Sequence, residues 1–179
     1  MRAEVPIEPS GVSELFVFAW GTTGVMALLG QAVYRLTPQA LDPLVHGTLT
    51  PFQAVLYIAW VLFAGYTEGY RAFQGRFSPR VVARAAYLAK HREPWHVALA
   101  PLFCMSFFHA TRRGLIAAWT VTLLVVIAVL VVRQLPQPWR GIVDGGVVVG
   151  LTWGLVAIAA NAIQVFRGVE PRVSNEVPV

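Results

Sequence analysis

The chain has 179 residues, 56% of them hydrophobic and only 13% charged, with a mean hydropathy of +0.61. That balance excludes an ordinary water-soluble domain, whose surface carries more charge. A formal net charge of +5 would suit nucleic-acid binding in a soluble chain. Here the basic residues flank long apolar runs, so lipid headgroups and membrane topology account for them and no nucleic-acid partner is expected.

Met1–Ser10 carries two glutamates, two prolines and one arginine, where an export signal has a basic start. The apolar stretch behind it is therefore expected to stay as a membrane helix, over about 13–34, with Ser13 as N-cap. Gly21 and Gly24 give this helix a small-residue face suited to close helix packing. A second span is expected over about 51–73. Thr50 caps it, Pro51 takes the first helical position, Gln53 completes a capping box and Gly75 ends it.

Between Ser78 and His91 the sequence reads SPRVVARAAYLAKH. Arg80, Arg84, Tyr87 and His91 fall on one helical face, and Val81, Val82, Ala85, Leu88 and Ala89 on the other. This predicts an amphipathic helix lying at the inner-leaflet interface, with Arg80, Arg84, Lys90 and His91 on lipid headgroups.

Trp95–Ala110 is apolar but short. Sixteen residues reach only about 24 Å as a helix, against roughly 30 Å of hydrocarbon. Pro101 also interrupts it. It reads as a short span, a re-entrant segment or an interfacial helix. Cys104 within it reads as a small apolar residue, since one cysteine supports neither a disulfide nor a thiolate metal site.

Leu115–Val132 runs 18 residues without a charge and is the clearest span. The last span covers about 142–166, after the breaker LPQPW. Its glycines Gly146, Gly150 and Gly154 recur every fourth residue, a flat seam for another helix within the bundle or across an oligomer.

Charge asymmetry orients these segments. If Trp95–Ala110 does not cross, 11 of the 14 basic residues lie on one side, and 9 if it does. The expected architecture is thus an all-α, four-span transmembrane bundle in one domain over 1–179, in the plasma membrane with both termini cytoplasmic.

Glu68 lies about 26 Å along the second span, near the inner edge of the hydrocarbon. Arg71, three residues on, is its expected ion-pair partner. That topology would gather Glu68, Arg71, Glu14, Asn161, Gln164, His109, Arg112 and Arg113 into an inner-leaflet polar cluster. Mid-depth would hold only Thr22, Thr23, Thr122, Thr152 and Trp153 as polar groups, without a carboxylate for a proton relay.

Haem and metal ions are not expected. His96 and His109 are 13 residues apart, about 20 Å along a continuous helix, and no histidine pair has i, i+4 spacing. Glu93 and Asp144 read as a loop charge and a helix-start charge. No catalytic constellation and no cofactor motif is present. The sequence therefore points to a small non-enzymatic accessory or scaffold subunit, with membrane lipids and a second copy or a larger membrane complex as partners. The alternative is a small oligomeric channel or transporter with its polar site around Glu68.

Overall fold

The computed structural model describes residues 11–169, and every regular element among them is helical. Met1–Ser10, and with it the expectation about an export signal, lies outside the described residues. Helix α1 (Val12–Val45) is longer than the expected 13–34 and contains Pro38 and Pro43. Pro43 has no N–H to offer the carbonyl of Gln39. That carbonyl is taken instead by the side chain of Gln137, whose Nε2 donates at 3.3 Å. Gly47, at φ 61°, turns the chain out of the helix.

Helix α2 (Pro51–Ala64) starts as its sequence predicts, with Thr50 and Gln53 exchanging both capping-box hydrogen bonds. The second span departs from expectation after that. Gly65–Phe77 continues without a break as a π-helix, and α3 (Ser78–Lys90) follows directly. Gly75 does not stop the helix, and Ser78 does not cap one. The Ser78 hydroxyl is fully buried and donates at 3.4 Å to the Gly154 carbonyl.

Nor is α3 an exposed interfacial helix. Ten of its 13 residues are buried, because its alanines let it pack closely against α1 and against the segment that follows. The face carrying Arg84, expected to be polar and exposed, is covered too.

That following segment holds two short helices, α4 (Pro94–Ala98) and α5 (Ala100–Cys104), and an irregular return over 105–110. It folds back on itself: the rings of His96 and His109 lie 4.7 Å apart. Trp95–Ala110 is thus a folded-back pair of legs and not one continuous helix. Its tip, Pro101, packs on Gly24, and Trp20 Nε1 holds the Val97 carbonyl at 3.1 Å.

Helix α6 (Arg112–Val132) is capped by Thr111, and α7 (Trp139–Phe166) is the last element among the described residues. Helices α1 and α7 run antiparallel over nearly their whole length. Phe18 meets Phe166 at one end (5.2 Å between ring centroids), and Pro43 packs on Gly141 at the other. The continuous helix Pro51–Lys90 packs along both. Helix α6 behaves differently. Nothing in its apolar stretch is buried, and Gly114 is its one buried residue. It is fastened near its start, where Trp119 meets Phe107 edge to face and donates to the Phe107 carbonyl, and beyond its end through Gln137.

Among the described residues, three helices, α1, α6 and α7, are long and apolar enough to cross a membrane. The described chain is an all-helical membrane protein by that measure. The second expected span, over about 51–73, does not qualify as one regular helix, because α2 supplies only 14 apolar-rich residues before the π segment brings in Glu68, Arg71, Gln74 and Arg76.

The packing makes opposite predictions for two glycines. A side chain at Gly146 would overlap Trp60 and Ala64, whereas nothing lies within 4 Å of the Cβ position at Gly30. Gly146→Leu should lower stability by about 1–3 kcal/mol through overpacking. Gly30→Ala should leave it unchanged or raise it by up to about 1 kcal/mol. Thermal unfolding of the two variants in one mild detergent checks both.

Candidate functional site

The centre of the molecule is an arginine that the sequence places on a lipid-facing stripe. Arg84 is 0% exposed. A buried guanidinium needs acceptors, and the folded-back segment supplies them because its irregular backbone leaves carbonyls outside any helix ladder. Arg84 Nε donates to the Phe103 carbonyl at 2.7 Å, and Nη2 donates to those of Phe108 and His109 at 3.2 and 3.1 Å. Its guanidinium carbon lies 4.2 Å above the Phe103 ring, a cation–π contact. Ser106 and His109, both at positive φ, bend the return leg so that these oxygens converge.

The assignment of Arg84 to a lipid headgroup is therefore corrected: its charge is directed at the protein's own backbone. Arg80 and Lys90 are half-buried, and His91 is exposed with its ring stacked on Tyr87 at 4.3 Å.

The expected helix-packing glycines do lie in tight contacts, all within the chain. Gly21 faces Ala85 and Cys104, with a Cβ position only 2.9 Å from Cys104 Sγ, and Gly24 faces Pro101. On α7, Gly146 takes Trp60, Gly150 takes Glu68 and Gly154 takes Phe73. The seam read as a possible subunit interface is filled from inside the bundle. Cys104 is fully buried, as expected of a packing residue.

The eight residues of the expected polar cluster do not come together. Glu68 is half-buried, with Oε2 3.0 Å from the Cβ position of Gly150, near the middle of α7 rather than at its end. The π segment explains the absence of an ion pair to Arg71. Its i→i+5 hydrogen bonds widen the helix, so residues three apart no longer share a face, and Arg71 points outward. Glu14 meets Arg92 at 4.0 Å. Asn161 donates to its own helix at Ala157, Gln164, Arg112 and Arg113 are exposed, and His109 sits beside His96. Asp144, read as a helix-start charge, is 4% exposed and pairs with Arg140 at 3.6 Å.

Beside Glu68, α7 carries a shallow apolar groove of about 400 Å³ lined by Val149, Thr152, Trp153 and Val156. Trp153 Nε1 donates to Gln74 Oε1 at 2.8 Å along its edge. Among the described residues, no group of three or more potential metal ligands is present.

Arg84 and Phe103 escaped sequence reasoning because an arginine flanked by alanines looks like any surface residue. The signal lay elsewhere, in the short apolar run with a central proline, whose backbone would need a donor if it turned. Comparison with known proteins returns no match: no family model, no curated protein and no solved structure is similar to this chain.

Arg84→Met keeps the length of the side chain and removes its donors. Each buried carbonyl left without a partner costs about 1–3 kcal/mol, so the variant should melt well below the native protein. Amide exchange over 105–110 should rise with it. Arg84→Lys should recover only part of the loss, since an ammonium cannot span the same fork of acceptors. Equal melting of native and Met variants would contradict the clamp.

Proposed function

We propose that this protein is an integral membrane subunit without enzymatic activity, which docks onto a membrane partner through α6. The observation that carries this reading is the contrast between α6 and the rest. The helix is held near its start by Trp119 and beyond its end through Gln137, yet none of its apolar stretch is buried. The glycine faces that could have joined subunits are already occupied internally. In a bilayer, helix association rests on close packing rather than on hydrophobicity, so the unpacked helix is the one still available to a partner.

In this reading the chain crosses the membrane four times, through α1, the helix Pro51–Lys90, α6 and α7. The folded-back segment is re-entrant from the cytoplasmic side, and both termini face the cytoplasm. The supporting arguments are the alternating direction of these elements and the excess of arginines at the hairpin end. An irregular backbone at membrane depth is tolerated where protein covers it, as Arg84 and α1 cover this one. The plasma membrane is the proposed location. The partner is a second copy or a larger membrane complex.

A photoreactive amino acid at Val125 or Leu130 tests this in native membranes. Protein adducts at both positions are expected, with the same probe at buried Val82 reacting only within the chain. Adducts with lipid alone at Val125 and Leu130 would remove the docking role.

A second reading draws on Glu68, an acid packed against Gly150 with no ion pair to Arg71. Intramembrane acids commonly mark ion or substrate paths, and π-helical turns recur at functional sites. A small channel or transporter would then show flux in proteoliposomes that Glu68→Gln reduces without loss of folding. Solute-tight vesicles containing the native protein would leave this reading without support.

A further inference from the structure

The fold-back that Arg84 clamps has a second product. It brings together two imidazoles that the sequence keeps 13 residues apart. His96 comes from α4 on the outgoing leg and His109 from the end of the return leg, and their rings lie 4.7 Å apart with a 36° tilt. Both belong to a ring cluster with Phe103 and Phe108, at centroid distances of 5.4 to 6.2 Å. The legs are fixed from behind, because Arg84 holds the carbonyl of His109 itself and that of Phe103 between the two histidines. His109 sits in the left-handed region at φ 48°, which histidine, like asparagine and aspartate, enters more readily than most residues.

We propose that His96 and His109 form a two-imidazole site for a divalent transition-metal ion of the zinc, nickel or copper class. Imidazole suits these ions and not the hard cations, which need clustered oxygens. The site is reachable, since His109 is exposed and His96 only half-buried. The torsion that turns a histidine ring is broad, so modest rotation of the two rings aims one nitrogen of each at a common point. Water or an external donor fills the remaining positions, as in open metal sites. The charge of Arg84 is directed at backbone carbonyls and the Phe103 ring. A bound ion would staple the two legs of the hairpin. One continuous helix would hold these histidines about 20 Å apart, but two short helices and an irregular return take its place.

The test uses the full chain in lipid nanodiscs with Cu²⁺ or Zn²⁺ alone. One saturable equivalent is expected, with nitrogen hyperfine structure from two equatorial imidazoles in the electron paramagnetic resonance of the Cu²⁺ form. His96→Gln and His109→Asn should each weaken binding by more than about tenfold, since even changes outside the ligands cost 10- to 100-fold. Asparagine is chosen because it tolerates the left-handed backbone at 109. His91→Gln, whose ring stacks on Tyr87 instead, should bind like the native protein. Should the His109 variant fail to fold, as judged by melting without metal, the His96 variant and the hyperfine pattern decide alone. Binding that is unsaturable, unchanged in the His96 and His109 variants, or lost in the His91 variant would overturn the site.

Discussion

A chain that turns back on itself inside a helical bundle must find partners for the peptide groups at the turn. In this protein one guanidinium does so, and most of the architecture follows from placing it there. Arg84 can reach the carbonyls of Phe103, Phe108 and His109 only if α3 lies directly against the folded-back segment. That proximity needs the small residues at the junction: Ala85 and Ala100 against Gly21, and Pro101 against Gly24. A charge buried this deeply is costly unless its hydrogen bonds are met. The guanidinium supplies donors to the return leg at Phe108 and His109 and a second donor to the Phe103 carbonyl, which also accepts from the Ser106 N–H.

The second principle of construction is the use of glycine to admit bulk. Along α7 the flat positions receive an indole, a carboxylic acid side chain and a phenyl ring from the neighbouring helix, at Gly146, Gly150 and Gly154. Trp60 and Ser78 add hydrogen bonds to carbonyls on that same helix. Interlocking of this kind needs no hydrophobic driving force, which a bilayer does not provide. It also separates the molecule into a packed bundle and the unpacked α6.

The start of α2 and the class of protein were legible in the sequence because they depend on neighbouring residues, whereas Ser13, read as the first N-cap, lies inside α1, which starts at Val12. Thr50, Pro51 and Gln53 specify a capping box wherever they occur, and the charge-free run in α6 has one physical home. The internal use of the glycines was not legible, because a small-residue face reads the same whether its partner lies in the same chain or another. The π segment was hidden for a related reason. Its residues are compatible with α-helix, and the wider winding depends on seating Trp153 at Gly69 and Phe73 at Gly154. The polar cluster around Glu68 was not legible either, because the partner of that acid is set by packing: it seats on Gly150 of α7. The histidine pair needed the hairpin, and the hairpin needed an arginine from another helix.

The winding of Gly65–Phe77 reaches further than its own contacts. A π-helix turns the chain through a smaller angle per residue than an α-helix does. The number of residues held in that form therefore sets the direction in which every later side chain leaves the axis. Arg84 stands seven residues beyond it, on the rigid continuation of the same rod. One residue gained or lost in the π segment would not be absorbed as a local bulge. It would act as a phase error, rotating α3 so that its guanidinium swept away from the three carbonyls. The loosest-wound part of the helix is thus the part whose length is least free to drift.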